Sequence, residues 1–324
     1  MNADMDVSVV LCTFNRCAML PAALESIAAS IMPSGVSWEI LVVDNNSKDR
    51  TRDVVEEFSR RYPGRFCYLF EPHPGKSYAL NAGIAASKGA VLAFVDDDVS
   101  VAPNWLENLT APLRKETLAG TGGRVVPQWT ADPPRWLARN SWAIAGPLVS
   151  FDCGDKYSPL LESPVGTNMA FARRVFEQYG GFRVDLGPTP DSEIRNEDSE
   201  FARRLFRAEE RLFYVPEAVV YHPVTEDRLT KSYFQAWWFD KARSEIREAG
   251  MPKDAGMIFQ GIPVAMFRRW LRWVLQWLVT LDPRDRFECK LRAWYTAGVI
   301  SECRRRFKSQ GVRTEVAVGG GSAS

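Results

Sequence analysis

Three consecutive carboxylates, Asp96, Asp97 and Asp98, close an apolar run in the stretch VLAFVDDDVS at residues 91–100. Like charges this close repel one another and favour unfolding unless something neutralises them. A hard divalent cation, Mn²⁺ or Mg²⁺, does so, because such ions prefer oxygen ligands. A solvated acidic turn is the plain alternative for any such triplet. A second candidate is Gly75-Lys76-Ser77, a glycine–lysine turn opening a helix, which suits a phosphate. It is not a Walker A loop, because the position five residues before Gly75 is Phe70 rather than glycine. A third is the pair Glu197-Asp198 at the start of a helix-like segment. Capping and the macrodipole favour carboxylates there for structural reasons alone.

The elements that must position these residues read as alternating strands and helices. Residues 7–12 (VSVVLC), 38–43 (WEILVV), 66–70 and 91–95 are short apolar runs bounded by turn residues. Between them, residues 18–30, a segment capped by Ser47 or Asp49 and running to about Arg61, and residues 77–87 carry helical patterns. That order predicts an α/β fold with a mostly parallel, doubly wound sheet. Ligands bind beyond the C-terminal ends of such strands. Residues 13–16 (TFNR), 44–47 (DNNS) and 96–98 all fall there. Further along, helices are expected at 103–115 and 198–208, and strands at 118–126, 165–171, 212–215 and 218–222. Residues 130–159, rich in Trp and Pro, read as irregular.

The 324 residues allow one large α/β domain, or a domain plus an appendage. Hydrophobic (46%) and charged (25%) fractions are those of an ordinary globular chain, and the net charge is +1. That near-neutrality hides an asymmetry, since residues 261–313 hold 12 Lys/Arg against 4 Asp/Glu. The six cysteines show no C-x-x-C spacing, which fits a reducing compartment better than a disulfide framework or a zinc site. The first residues lack the basic region and apolar core of a signal peptide. No apolar run reaches the ~18 residues of a spanning helix. Together these imply a cytoplasmic protein.

The motifs TFNR (13–16), VVDNNSKDRT (42–51), GKSYALNAGIAASKGAVLAFVDDDV (75–99), GTNMAFARR (166–174), GGF (180–182) and NEDSEFARRL (196–205) follow one another in order. Over residues 6–225 the chain resembles a family 2 glycosyltransferase with the Rossmann-like GT-A fold. The resemblance implies a nucleotide-sugar donor, uridine-linked, and a saccharide or lipid-linked acceptor. It implies that Asp44 accepts a hydrogen bond from the imide N–H of the base. Thr13, Asn15, Arg16, Asn46, Gly75, Lys76 and Asn81 would then surround the nucleotide. Asp96 would lie near the ribose, Asp97 near the sugar, and Gly166, Thr167 and Asn168 along the donor-sugar pocket. Asp98, with His222 as a further ligand, would hold Mn²⁺ or Mg²⁺ on the diphosphate, where the ion stabilises growing negative charge. Asp198 would be the general base and Glu197 an acceptor-site residue or second choice. One carboxylate acting opposite the leaving group implies inversion at the anomeric carbon. For Asp44 the competing role is a turn cap, and for His222 a buried imidazole on a carbonyl.

The expected layout is a catalytic domain at 1–225, with a nucleotide half to about 100 and an acceptor half beyond it. A basic helical extension follows at 226–313, and a flexible tail at 314–324. Within the extension, residues 228–250 form an expected helix beside the acceptor cleft, with Tyr233, Phe234, Trp237 and Trp238 as core. In residues 263–281 (PVAMFRRWLRWVLQWLVTL), Arg268, Arg272, Gln276 and Thr280 make a polar stripe, and Trp270, Trp273 and Trp277 fall together on the apolar side. That pattern fits a helix lying in a membrane interface, peripheral to the inner face of the cell membrane, or one packed on protein. No nucleic-acid module accompanies the basic patch. Two other classes compete: a metal-dependent nucleotidyltransferase, which usually has a glycine-rich loop after its first strand, and a non-catalytic membrane-associated protein.

Overall fold

The computed structural model describes residues 5–137, 143–251 and 256–319, with side chains up to residue 309. The chain forms two compact units. The first comprises Met1–Asp132, Leu148–Ser192 and Glu197–Thr225; the second comprises Pro133–Pro147, Glu193–Asn196 and Glu226–Ser324. Part of the expected irregular region, residues 138–142, and the last five tail residues, 320–324, lie outside the described residues.

Unit 1 opens with β1 (Met5–Thr13), α1 (Leu20–Ala28), β2 (Trp38–Asp44), α2 (Thr51–Arg61), β3 (Phe66–Phe70), α3 (Lys76–Ala86) and β4 (Gly89–Asp96). It continues with β5 (Ser100–Val101), α4 (Trp105–Lys115), β6 (Gly120–Trp129), β7 (Ser158–Pro159), β8 (Met169–Ala172), α5 (Arg173–Tyr179), α6 (Glu197–Arg207) and β9 (Leu212–Val224). The strands join one sheet in the order β3-β2-β1-β4-β8-β6-β9-β5, with β7 on β9. The first four are parallel, and β8 runs antiparallel to β4. Apolar side chains cover both sheet faces, as strands buried on both sides require. One core packs Val7, Val9 and Leu11 against α1, α2 and α4. The other packs Val10, Leu92 and Phe94 against α3, α5 and α6. Gly83 lets α3 lie close, since a Cβ there would meet Val10 Cγ1 at 2.5 Å.

The parallel register sets the site. Thr13 pairs with Asp44 across β1 and β2, and Cys12 with Asp96 across β1 and β4. Three strand ends therefore reach one edge of the sheet together.

The second half differs from the sequence expectation: β5, β7 and α5 are additional elements, and the expected strands are redrawn in two places. The expected strand at 165–171 is only β8, because residues 165–168 form a turn. The two expected strands at 212–215 and 218–222 are one, β9. Its register against β6 shifts between Gly123 and Arg124, where Val215 is the last partner before and Val219 the first after. The bulge accommodates Pro216, which has no N–H to give a ladder.

Unit 2 holds α7 (Lys231–Ala249), the hairpin β10 (Ile258–Phe259) with β11 (Ile262–Pro263), α8 (Val264–Val279) and α9 (Pro283–Gly319). The tail expected from residue 314 is helical as far as Gly319. Glu302 of α9 is fully buried and accepts from Arg247 at 3.1 Å, with Arg243 at 3.5 Å and Arg305 also paired to it. Phe234 is core, as expected, against Trp136 and Phe287. Trp273 and Trp277 of α8 turn toward α9, whereas Trp270 stays exposed. Arg292 of α9 stacks over Trp273 and Lys290 over Trp277, at 4.8 and 5.2 Å from the ring centroids. The outward face carries leucines.

Candidate active site

The strand ends converge on a charged cluster within unit 1. Arg16, after β1, donates through Nη1 to Asp97 Oδ1 at 3.0 Å and Asp98 Oδ2 at 2.8 Å. A guanidinium thus already neutralises part of the triplet for which the sequence called for a cation. The other Asp98 oxygen, Oδ1, lies 3.8 Å from Nε2 of His222, which is buried on β9. A carboxylate oxygen and an imidazole nitrogen facing each other form a donor pair suited to Mn²⁺ or Mg²⁺. Among the described residues no three His, Cys, Asp or Glu side chains converge as a complete cation site. An ion held there would complete its shell with water or substrate oxygens, as Mg²⁺ commonly does with water and phosphates.

Lys76 bridges to the other side of the cluster. Its Nζ donates to Asp96 Oδ1 at 2.6 Å and lies 3.8 Å from Glu197 Oε1. Gly75 makes this placement possible. It caps α3 at φ 136°, a backbone region that side chains disfavour, and its N–H donates to Asn45 Oδ1 at 2.7 Å. Asn45 also donates to the His73 carbonyl at 2.7 Å, so one buried amide shapes the whole 73–75 turn. Sequence reading passed over Asn45, although its neighbours in the DNN triplet were singled out.

Asp198 is held from both sides. Its Oδ2 accepts the Gly166 N–H at 2.8 Å, and its Oδ1 accepts the Ser199 N–H at 2.6 Å. The carboxylate is fixed in direction while keeping acceptor capacity. Burial pushes the neighbouring Glu197 carboxyl up to about 7, helped by the Asp198 charge and opposed by Lys76. Burial likewise pushes Asp97 up to about 6, against the pull of Arg16. Burial works against the Lys76 ammonium, but Asp96 and Glu197 outweigh it and hold its pKa above the ordinary range.

A folded-state pKa raised above the ordinary value of 4.5 means that the native chain binds the Glu197 proton more tightly than the unfolded chain. This stabilisation is present at low pH and is lost as pH rises toward 7. Glu197→Gln removes that loss. Its urea-unfolding free energy relative to the parent is expected to improve from pH 5 to pH 8 by about 2 kcal/mol. A pH-independent difference would contradict the assignment.

Other expected site residues have structural jobs. Asp44 is buried, and it caps its own turn by accepting the Ser47 N–H at 2.9 Å while Oδ2 accepts the Tyr68 hydroxyl at 2.8 Å. Two lone-pair positions remain for a base. Thr13 is buried beside it at the strand end. Asn15 and Asn46 sit at positive φ; the Lys48 N–H donates to Asn15 Oδ1 at 2.7 Å and so ties two loops together, while Lys48 Nζ donates to Asn46 Oδ1 at 2.6 Å within its own loop. Two further expected residues also have structural bonds. The Asn81 amide makes two 2.8 Å bonds to the Phe182 backbone. Asn168 is tied to its own neighbours. It is fully buried, accepting from Trp105 Nε1 at 2.8 Å and donating to the carbonyls of Arg124 and Ala218 at 2.9 and 2.8 Å.

Asn168→Ala would strand three buried polar groups, each worth about 1–3 kcal/mol when left unpaired. The expected loss of stability in denaturant titration is at least about 3 kcal/mol, with donor KM unchanged in the folded fraction. A raised KM at unchanged stability would support the pocket role.

Comparison with known proteins agrees with this geometry. The family model described as Glycosyl transferase family 2 matches residues 8–180. A glucosyl-dolichyl phosphate glucuronosyltransferase of Haloferax volcanii is 26% identical over 248 residues, covering 72% of this chain and 75% of its own. The succinoglycan biosynthesis protein ExoM of Rhizobium meliloti is 27% identical over 239 residues, covering 72% and 71%. Among solved structures, the mannosyltransferase PcManGT of Pyrobaculum calidifontis, in complex with GDP-Man and Mn²⁺, superposes with a TM-score of 0.55 at 18% identity, over 98% of this chain and 76% of its own. That likeness shows the GT-A fold. With the family match spanning more than half the chain, and the motif residues gathered at one sheet edge, the protein belongs to glycosyl transferase family 2.

Proposed function

We propose that this glycosyltransferase, which uses a nucleotide-sugar donor, is an inverting enzyme with Asp198 as general base, a divalent ion at Asp98 and His222, and a uridine-linked donor. The acceptor is a saccharide or lipid-linked hydroxyl. The observation that carries the reading is the Asp96–Lys76–Glu197 link, which joins the carboxylates at the end of β4 to the carboxylate pair that opens α6.

In the reaction, the acceptor oxygen bonds to the anomeric carbon while the bond from that carbon to the diphosphate oxygen breaks. The hydroxyl proton passes to Asp198, and the electron pair leaves with the nucleoside diphosphate. Gly166 and Ser199 orient Asp198 through their N–H groups, so its lone pair is aimed before the acceptor arrives. Arg16 and Lys76 hold positive charge beside the triplet, which favours an anionic leaving group. The bound ion supplies Lewis-acid stabilisation of the departing diphosphate. Asp44 offers an acceptor to the base. The superposed mannosyltransferase carries GDP-Man, so support for uridine comes from Asp44 alone.

A thermal-shift screen of UDP-, GDP- and dTDP-sugars, with and without Mn²⁺, tests the donor. A ligand at a hundred times its Kd adds about 2.7 kcal/mol. The expected result is the largest shift for a UDP-sugar with Mn²⁺. A GDP-sugar winning would reassign the base, and no shift from any donor would overturn the reading.

A further inference from the structure

Unit 2 presents a continuous apolar surface bordered by cations. The β10–β11 hairpin turns through Gln260 and Gly261, both at positive φ, and exposes Met257, Ile258 and Phe259. The Val264 N–H donates to the Met257 carbonyl at 2.9 Å, which joins the hairpin directly to the start of α8. On α8, Phe267, Leu271, Leu275 and Leu278 recur at three- and four-residue spacing and share one face. Leu271, Leu275 and Leu278 are 52%, 53% and 58% exposed, and Phe259 is 61% exposed. Single exposed apolar residues are ordinary, but a contiguous set marks an interaction surface. The other side of α8 is committed to α9 through Trp273 and Trp277.

The charges narrow the partner. Helix α8 has no acidic residue, and Arg268, Arg269 and Arg272 are exposed along it. An adjoining cleft of about 630 Å³ is lined by Phe267, Trp270 and Ile300 together with Arg304, Arg305 and Lys308. A second copy of this chain would set arginines against arginines. A wholly apolar partner would desolvate them without a counter-charge. A surface both apolar and anionic complements the face. Among the described residues no helix is long and apolar enough to cross a membrane, so the contact is with a surface.

We propose that this face docks on an anionic lipid bilayer. Phe259, Leu271, Leu275 and Leu278 enter the acyl boundary, and Arg268, Arg272, Arg304 and Lys308 meet the head groups. The proposal stands independently of the reaction assigned to unit 1.

Flotation of the full chain with phosphatidylcholine vesicles, plain or containing about 30 mol % phosphatidylglycerol, tests it. Binding to the anionic vesicles is expected to exceed binding to the plain ones at least about tenfold and to weaken as salt rises. The triple variant Leu271→Ser, Leu275→Ser, Leu278→Ser alters exposed positions only. It is expected to keep the parent's melting temperature and lose vesicle binding. Arg268→Glu with Arg272→Glu is expected to erase the preference for anionic lipid, which keeps the test decisive if the triple variant fails to fold. A parent that floats with neither vesicle would overturn the proposal, as would a folded triple variant that floats like the parent. Self-association in light scattering that the serines abolish, without flotation, would assign the face to a second copy instead.

Discussion

Asp198→Asn is expected to leave nucleotide-sugar affinity within about twofold of the parent and to lower kcat by about 10²–10⁴, the range of a lost general base. The reason is local. Asp198 sits at the start of α6, where Gly166 and Ser199 N–H groups fix both of its oxygens. Asparagine keeps one acceptor oxygen but turns an NH₂ toward one of those donors. It therefore loses a hydrogen bond as well as the basic lone pair, and a stability loss of about 1 kcal/mol should accompany the kinetic one. Single-turnover transfer measured beside equilibrium donor binding separates the two effects. Because no residue of the triplet changes, a fall in donor affinity matching the fall in rate would move Asp198 from base to binding group. A variant with parental kcat would remove it from the mechanism.

Asp98→Ala carries the second large effect. The residue is almost wholly shielded, with one oxygen on Arg16 and the other facing His222 at 3.8 Å. Removing it leaves an imidazole without its carboxylate partner, too little to hold a hard ion. Nucleoside diphosphate titrated with and without Mn²⁺ by calorimetry should differ strongly for the parent and not at all for the variant. The expected loss of metal-dependent affinity is about 100-fold, or 2.7 kcal/mol. Arg16 still has Asp97 as a partner at 3.0 Å, so the loop after β1 is expected to hold. A variant that keeps the full Mn²⁺ effect would place the ion elsewhere.

The first half of the fold was legible because its signals are local. Residues 7–12, 38–43 and 91–95 are largely buried on both faces, while the edge run 66–70 is buried only at Phe66; short apolar runs like these announce themselves without knowledge of their neighbours. The alternation with helices then fixes which strand ends share an edge, so Asp44, Asp96 and Thr13 could be grouped from sequence alone. The antiparallel half was less legible. Whether 212–215 and 218–222 are one strand or two depends on how β6 pairs past Pro216, which the chain decides from a hundred residues away.

Side-chain roles were less legible for the same reason. Asn168 and Asn81 read as ligand-binding amides, and the structure shows them bonded to Trp105, Arg124 and Ala218, and to the Phe182 backbone. Arg16 reads as a base- or phosphate-flanking residue, and its pairing with Asp97 and Asp98 spans 81 and 82 positions. On α8 both sides are apolar enough to be buried. The inward side meets cations of α9, with Lys290 over Trp277 and Arg292 over Trp273, partners that the helix's own pattern does not reveal.

The edge formed by β1, β2 and β4 is expected to bind a nucleoside diphosphate with a divalent ion held at Asp98. Anomalous diffraction at the manganese edge, from crystals grown with uridine diphosphate and Mn²⁺, tests this. The expected result is a single strong peak within bonding distance of both Asp98 and His222. Ordered diphosphate in the cleft with no anomalous peak beside Asp98 would contradict it.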